Sequence, residues 1–350
     1  MNMDKVHEMA FRVVGDTGGA FTMALAYIGD KHGLFKAMAG AGPMRSPNLA
    51  ARTQLNERYV REWLRAMVAA EYIEYEATTD MYRMTEEQAF VLANEDSPLF
   101  VGGAMQFTAP SICNVHKVAE AFQKGGGIPY SEIGDEVPHA IERLFRPGYI
   151  NFLAKDWLGA VPGLLARLEK GAAIADIGCG RGQSTVTMGK SFPKSKVLGI
   201  DYHQPSIETA RKLAAKEGLS NVEFLQASAH EFPAGKKFDL ICSFDCIHDM
   251  VDPKATVRAV RNALADDGVY VWSEPNATAN AHENRNPVGK MFHSISPMHC
   301  MTVSLAYNGA GLGTVIGEEG ARSLASEAGF SHFEKLPIQH PLNQFFALRR

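Results

Sequence analysis

The sequence predicts an α/β chain, a doubly wound and mainly parallel sheet, preceded by a smaller α-rich domain. Three observations carry that reading. From Ala172 onward, short apolar strands alternate with amphipathic helices across short loops. A glycine-dense turn, Gly178-Cys179-Gly180-Arg181-Gly182, closes the first of those strands. Residues 1–95 are instead helical, with one two-stranded hairpin.

Composition narrows the class. A chain of 350 residues suits about two domains. With 46% hydrophobic and 21% charged residues it is neither disordered, collagen-like nor a coiled coil. Its 35 basic and 39 acidic residues leave a net charge of −4, which argues against a nucleic-acid binder acting through overall charge. No uninterrupted apolar run of about 18 residues exists, so no membrane span is expected. The apolar stretch Gly18–Gly29 lacks the positive, apolar, then small order of a signal peptide. Five cysteines, at 113, 179, 242, 246 and 300, show no CxxC spacing. Neither a disulfide framework nor a metal site is expected, and the cytoplasm is the expected location.

In the first domain, Phe21, Leu25 and Ile28 share one helical face. Ser46-Pro47 supplies an N-cap and a first-turn proline for a short helix toward Arg52. Asn56 caps the next helix, whose apolar stripe is Val60, Trp63, Leu64, Met67 and Val68. Two short strands, Tyr72–Glu76 and Met81–Met84, flank a turn at Thr78-Thr79-Asp80. Thr85-x-x-Gln88 is a capping box that restarts a helix. This order is that of a winged helix. Arg58, Arg61 and Arg65 lie opposite the apolar stripe, as a DNA-reading helix requires, but Glu57 and Glu62 are spaced to pair with them. A structural or dimerising module is the better reading.

Residues 96–170 read as a helical linker that can lie over a cleft, with breaks at Gly125-Gly126-Gly127 and Arg146-Pro147-Gly148, and a helix over Phe152–Leu168. Tyr130, Tyr149, Phe152 and Trp157 are its candidates for lining a substrate pocket. From 171 to 350 the expected strands are Ala173–Ile177, Lys196–Ile200, Val222–Leu225, Phe238–Ser243 and Val269–Ser273. A helix from Asp252-Pro253 is expected to end near Gly268, and another runs from Glu318 to Ala328. Two closing strands lie near Phe333–Leu336 and Phe345–Leu348.

In such a sheet, ligands bind at the carboxyl ends of the strands. Asp176 precedes Gly178, Gly180 and Gly182, whose lack of a Cβ lets a ligand approach the backbone. The third glycine comes one residue earlier than in a GxGxxG pyrophosphate loop, and an acid beside the loop repels phosphate, which disfavours a nicotinamide oxidoreductase. Asp201, 25 residues on at the next strand end, is placed to accept ribose hydroxyl protons, with Tyr202 beside it for an adenine face.

Asp176-x-Gly178-x-Gly180-x-Gly182 followed by Asp201 resembles the class I S-adenosylmethionine-dependent methyltransferases. The resemblance extends through Phe224–Pro233, through Phe238–Asp249 and through Ala263-Leu264-x-x-Asp267-Gly268. With the winged helix in front, the layout is similar to plant-type O-methyltransferases and to bacterial small-molecule methyltransferases. The resemblance implies a Rossmann-like, seven-stranded sheet and S-adenosylmethionine as cofactor, released as S-adenosylhomocysteine. It implies that Asp176 and the three glycines face the methionine part, Asp201 the ribose, and Tyr202, Ser228 and Ala229 the adenine. Phe244 joins them through the fourth-strand motif. Ser228 stands where the family often has aspartate, so the contact to the adenine amino group is expected to be weaker or made by backbone. His248, in Ile247-His248-Asp249, resembles a general base.

The same layout implies a first domain (1–95) that dimerises, a linker (96–170) over the cleft and a catalytic domain (171–350). The segment Asn276–Gly313 is long enough to serve a substrate, and His299 is its candidate polar contact, beside Tyr149. The expected function is methyl transfer to a small apolar or aromatic acceptor by a homodimer, with no membrane or nucleic-acid partner. The alternative is a winged-helix DNA-binding regulator that uses the second domain as a ligand sensor.

Overall fold

The computed structural model describes residues 1–134 and 136–350. The chain forms two compact units: Met1–Ile112 with His139–Pro147, and Cys113–Pro138 with Gly148–Arg350. The stretch 96–170, expected as one linker, is divided between them. Among the described residues no helix is long and apolar enough to cross a membrane.

The first unit opens with a long helix, α1 (Met3–Lys31), capped by the Asn2 side chain. It continues through α2 (Leu34–Met38), α3 (Ser46–Thr53), α4 (Glu57–Ala69), β1 (Glu74–Glu76), β2 (Met81–Arg83) and α5 (Glu86–Leu92). The apolar face of α4 builds the core: Val60, Trp63, Leu64 and Met67 are buried against Phe35, Met38 and Leu49. At Gly29 of α1 a Cβ would lie 2.4 Å from the Trp63 ring, so only glycine lets the two helices approach this closely. Trp63 Nε1 donates to the Leu25 carbonyl at 2.9 Å across that contact. The capping box at Thr85 and Gln88 forms as expected. Beyond α5 run α6 (Gly102–Cys113), α7 (Val115–Lys124) and α8 (Glu136–Gly148). Arg143 of α8 ties its segment into the first unit, with bonds to Asp30 (2.7 and 3.0 Å), Glu95 (3.2 Å) and Gln106 (2.9 Å).

The second unit is a seven-stranded sheet in the order β5-β4-β3-β6-β7-β9-β8. Its strands are β3 (Ala173–Ile177), β4 (Lys196–Asp201), β5 (Val222–Gln226), β6 (Phe238–Phe244), β7 (Leu264–Pro275), β8 (His332–Lys335) and β9 (Asn343–Arg349). The first five run parallel to one another, while β9 runs antiparallel to both β7 and β8. The helices are α9 (Leu164–Lys170), α10 (Gln183–Ser191), α11 (Gln204–Lys216), α12 (Pro253–Ala263), α13 (Pro287–Met298), α14 (Cys300–Ala306) and α15 (Gly317–Ala328). Strand side chains alternate between faces. Ala175, Ile177, Leu198, Ile200, Tyr270 and Trp272 join α12 and α15 in one core through Val257, Val260 and Leu324. Asp176 and Cys242, at the intervening positions, therefore face the other side.

Two elements differ from expectation. The helix expected to run to near Gly268 stops at Ala263, because Leu264 begins β7, pairs with Phe238 and is fully buried. The tertiary pairing outweighs the helical propensity of the local sequence. The helix expected over Phe152–Leu168 is instead a π-helical stretch, Tyr149–Trp157, then a break before α9 at Gly163, whose φ is +77°. A left-handed residue cannot continue a right-handed helix.

Candidate active site

From β3 the sheet grows in one direction through β4 and β5, and in the other through β6 and β7. The order reverses between β3 and β6, which is where an open α/β sheet leaves a crevice beyond its strand ends. The loop after β3 and the loop after β6 meet there. A Cβ on Gly178 would lie 2.6 Å from Cys246 Sγ, and that thiol donates to the Ile177 carbonyl at 3.3 Å.

The glycine loop divides its work. At Gly182, φ is +84° and a Cβ would fall 2.6 Å from that of Ala210 and 2.9 Å from the Phe224 ring, so α10 starts hard against its neighbours. Gly180 is the opposite: φ is +53°, and a Cβ there would have nothing within 4 Å. Open space therefore lies directly before its backbone.

Two carboxylates hold this loop. Asp201, at the end of β4, accepts from Gly180 N at 2.9 Å and from His203 N at 2.8 Å. Burial raises its pKa, and the backbone donors pull it back down. Asp176 is buried behind the loop, where one carboxylate oxygen accepts from Ser184 and Thr185 hydroxyls, each at 2.6 Å. Burial pushes its pKa up to about 6 despite those hydroxyls. Tyr202 is half exposed beside Asp201. Ser228 donates its backbone N–H to Glu231 at 3.0 Å and pairs its hydroxyl with His230 Nδ1 at 3.0 Å. Ala229 packs against the main core of the unit.

Beyond β6 the backbone turns sharply. Asp245 has φ +52°, a left-handed conformation uncommon for a non-glycine residue and frequent at functional sites. Asn343 and Ser273 hold its carboxylate at 2.5 and 3.2 Å. His248 follows in a single 3-10 turn, Ile247–Asp249, and is buried. Its Nδ1 lies 2.5 Å from Glu274 Oε2, while Glu274 Oε1 accepts from Trp272 Nε1 at 2.7 Å. Burial disfavours a charged imidazole, yet the charge of the neighbouring Glu274 carboxylate holds the His248 pKa well above its usual value. Asp249 is pushed up to about 7, chiefly by burial. His299 is lowered to about 4 by burial and by the charge of His248.

The aromatic candidates gather next to this turn. Tyr149 stands 5.6 Å from Phe244 and 5.9 Å from Trp157, centroid to centroid, and Trp157 lies 4.8 Å from Phe345. Buried rings thus line the second unit beside Asp245. His248, Asp249 and Cys300 bring a ring nitrogen, a carboxylate oxygen and a thiol within 4.8 Å of one another, a grouping that their sequence spacing conceals.

The methyltransferase domain family matches this chain over residues 168–342, half of its length. The chain belongs to the methyltransferase domain family. An Rv2258c-like winged HTH domain matches residues 19–94. The ubiquinone biosynthesis O-methyltransferase of Actinobacillus pleuropneumoniae is 30% identical over 118 residues, covering 32% of this chain and 49% of that protein. The chain thus spans about half the length of the curated relatives it matches. Human N-acetylserotonin methyltransferase, solved in complex with S-adenosylmethionine, superposes with a TM-score of 0.73 at 18% identity over 97% of both chains. An O-methyltransferase family protein from Burkholderia thailandensis gives 0.71 at 14% identity, over 100% of this chain and 98% of that one. At those identities the likeness is one of fold.

The residues of this methyltransferase domain fit S-adenosylmethionine. Asp176 is buried, Asp201 and Asp249 are partly buried, and all three carboxylates have raised pKa values. Among the described residues none of them is ion-paired with lysine or arginine. A ligand carrying a sulfonium and an ammonium supplies the missing positive charge. The open space before Gly180 gives it a backbone to lie against.

Glu274 is the site residue that sequence reasoning passed over. It lies in the run Ser273-Glu274-Pro275 that ends β7, one strand from His248. The available signal was an acid within an apolar strand end, at the same edge of the sheet as Asp176 and Asp201.

Proposed function

We propose that this protein transfers the methyl group of S-adenosylmethionine to an oxygen of a small, apolar or aromatic acceptor, with His248 as general base. The observation that carries the base is the buried His248–Glu274 contact. The cofactor supplies an electrophilic methyl group on a positive sulfur.

The chain's own residues supply the rest. Asp201 offers its carboxylate to ribose hydroxyls while fixing the Gly180 amide. Asp176 braces the loop from behind through Ser184 and Thr185. Tyr202, Ser228 and Ala229 lie on the adenine side, and Phe244 with Tyr149 gives an apolar wall. Glu274 accepts the Nδ1 proton of His248, so Nε2 is the nitrogen that carries the lone pair once the ring is deprotonated, above its raised pKa. That nitrogen would take the acceptor's hydroxyl proton as its oxygen gains the methyl group, the carbon–sulfur bond breaking so that neutral S-adenosylhomocysteine leaves. Glu274, in contact with Nδ1, stabilises the imidazolium that results. The buried rings of Tyr149, Trp157 and Phe244 suit a flat apolar acceptor, and His299, neutral at working pH, offers it a hydrogen bond.

The assembly read with this function is a homodimer in the cytoplasm. Phe11, Val14 and Phe21 of α1 stand exposed on one protomer, an apolar surface of the kind that marks an interface. All five cysteines are free, as a reducing compartment keeps them. The DNA-reading alternative loses its cations: Arg58, Arg61 and Arg65 pair with Glu62, Glu57 and Glu62 on the same helix.

The test is a screen of phenols, thiols and amines with S-adenosylmethionine, read by mass spectrometry. A methylated phenol is the expected product. Methylation confined to thiols or amines overturns the oxygen assignment, and no gain of a methyl group by any class overturns the reading.

A further inference from the structure

Tyr130 lies in a short 3-10 turn, Tyr130–Glu132, between α7 and α8. Its aromatic character alone points to a substrate pocket. Its surroundings point elsewhere. The ring meets His203 edge-on at 5.0 Å, Tyr202 at 6.2 Å and His299 at 6.3 Å, centroid to centroid. Tyr202 and His203 follow Asp201 at the end of β4, whereas His299 immediately precedes α14. The one ring therefore touches both banks of the crevice. Its hydroxyl is held well above the usual tyrosine pKa by burial, and then by the charges of Asp201 and Asp249.

The segment is pinned in that position by backbone contacts. Ile128 N donates to the carbonyl of Thr302 at 3.1 Å and to its hydroxyl at 3.1 Å. Gly127 sits so close that a Cβ would fall 1.8 Å from the Thr302 carbonyl oxygen. On the far side, Asn114 donates to the Ile133 carbonyl at 2.9 Å. Ile128 and Ile133, on either side of Tyr130, are both buried. A ring held from both ends of its segment has little rotamer freedom left to lose when a ligand arrives.

We propose that Tyr130 is a cofactor-binding residue whose ring packs over S-adenosylmethionine between Asp201 and His299 and slows its escape. This rests on the cofactor assignment above. The ring supplies apolar area against the ligand and keeps water from the buried carboxylates, where each charge interaction is then stronger. It also gives the bound cofactor and the acceptor pocket a common wall.

The test compares calorimetric binding of S-adenosylhomocysteine to wild type, Tyr130→Phe and Tyr130→Ala, with ligand dissociation followed by stopped flow. Tyr130→Phe keeps the ring and should bind within twofold of wild type. Tyr130→Ala should bind at least tenfold more weakly, about 1.4 kcal/mol, with the loss in the dissociation rate. A second measurement needs no variant: hydrogen exchange of wild-type residues 127–133 should slow on adding S-adenosylhomocysteine. Unchanged exchange there, alanine binding within twofold, or an equal loss in the phenylalanine variant overturns the proposal. If wild type itself does not bind S-adenosylhomocysteine, the cofactor assignment fails and this inference falls with it.

Discussion

His248 Nδ1 lies 2.5 Å from Glu274 Oε2, and neither side chain reaches solvent. The pair joins the turn after β6 to the end of the neighbouring strand β7, and Trp272 anchors the second carboxylate oxygen. The imidazole is thereby fixed in orientation before any substrate arrives.

Replacing Glu274 by Gln removes the charge that holds the His248 pKa up and leaves burial, which pushes it down. The acid limb of kcat/KM reports the free enzyme's base. It should lie above the ordinary histidine value of about 6.5 in wild type, and move down in Glu274→Gln. A limb that stays in place would separate Glu274 from the titrating group.

Asp201 should carry much of the cofactor affinity. A carboxylate that accepts ribose hydroxyls is worth about 1.5 kcal/mol or more for each charged hydrogen bond. Asp201→Ala should therefore weaken S-adenosylhomocysteine more than tenfold in calorimetry. Asp201→Asn, which keeps the shape and one acceptor, should lose less. Unchanged affinity in a folded Asp201→Ala protein would remove Asp201 from the site.

The buried acids also predict how stability follows pH. Asp176 is raised to about 6, and Asp245 and Asp249 to about 7, mainly by burial. In the unfolded chain they titrate near the aspartate value of about 3.9. Between those values the folded protein binds more protons, so their contribution to stability is full below about pH 4 and is lost as pH rises through 6 to 7. S-adenosylmethionine, a cation at the sulfur, should restore it. Its stabilising shift in a thermal scan should be larger at pH 8 than at pH 5.5. An equal or smaller shift at pH 8 would contradict the charge argument.

Assembly is tested through α1. The protein should run by light scattering at twice its chain mass of 38.2 kDa. Glutamate at both Phe11 and Phe21 should give monomers, because both side chains stand largely exposed on their own protomer. A wild-type monomer at micromolar concentration would end the dimer reading.

Much of this was legible in the sequence, for physical reasons particular to each element. The strand after Ala172 and the glycine turn were visible because β3 is short, apolar and punctuated by residues that serve few other purposes. Asp201 was visible because it ends the next strand at a fixed distance from the turn. The end of α12 was not, since the register of Leu264 against Phe238 is set by a partner strand that lies on the far side of α12 in the sequence. The break at Gly163 was hidden in a run of helix-forming residues. Glu274 was passed over for a similar reason: an acid within a buried strand has meaning only once β6 is known to lie beside β7 and to bring His248 to it. The pairing of Tyr130 with His203 and His299 depends on a backbone bond to Thr302, which no local pattern encodes.

The central claim is that His248 is the base, and its turnover on a methylatable phenol is the measurement that reaches it most directly. His248→Gln should bind S-adenosylhomocysteine as wild type does, yet lose about 10² to 10⁴ in kcat above the acid limb, with the loss shrinking at low pH, where the wild-type imidazole is itself protonated. Wild-type kcat in a folded His248→Gln protein would contradict the base assignment, and with it the role of Glu274 as the group that orients the imidazole.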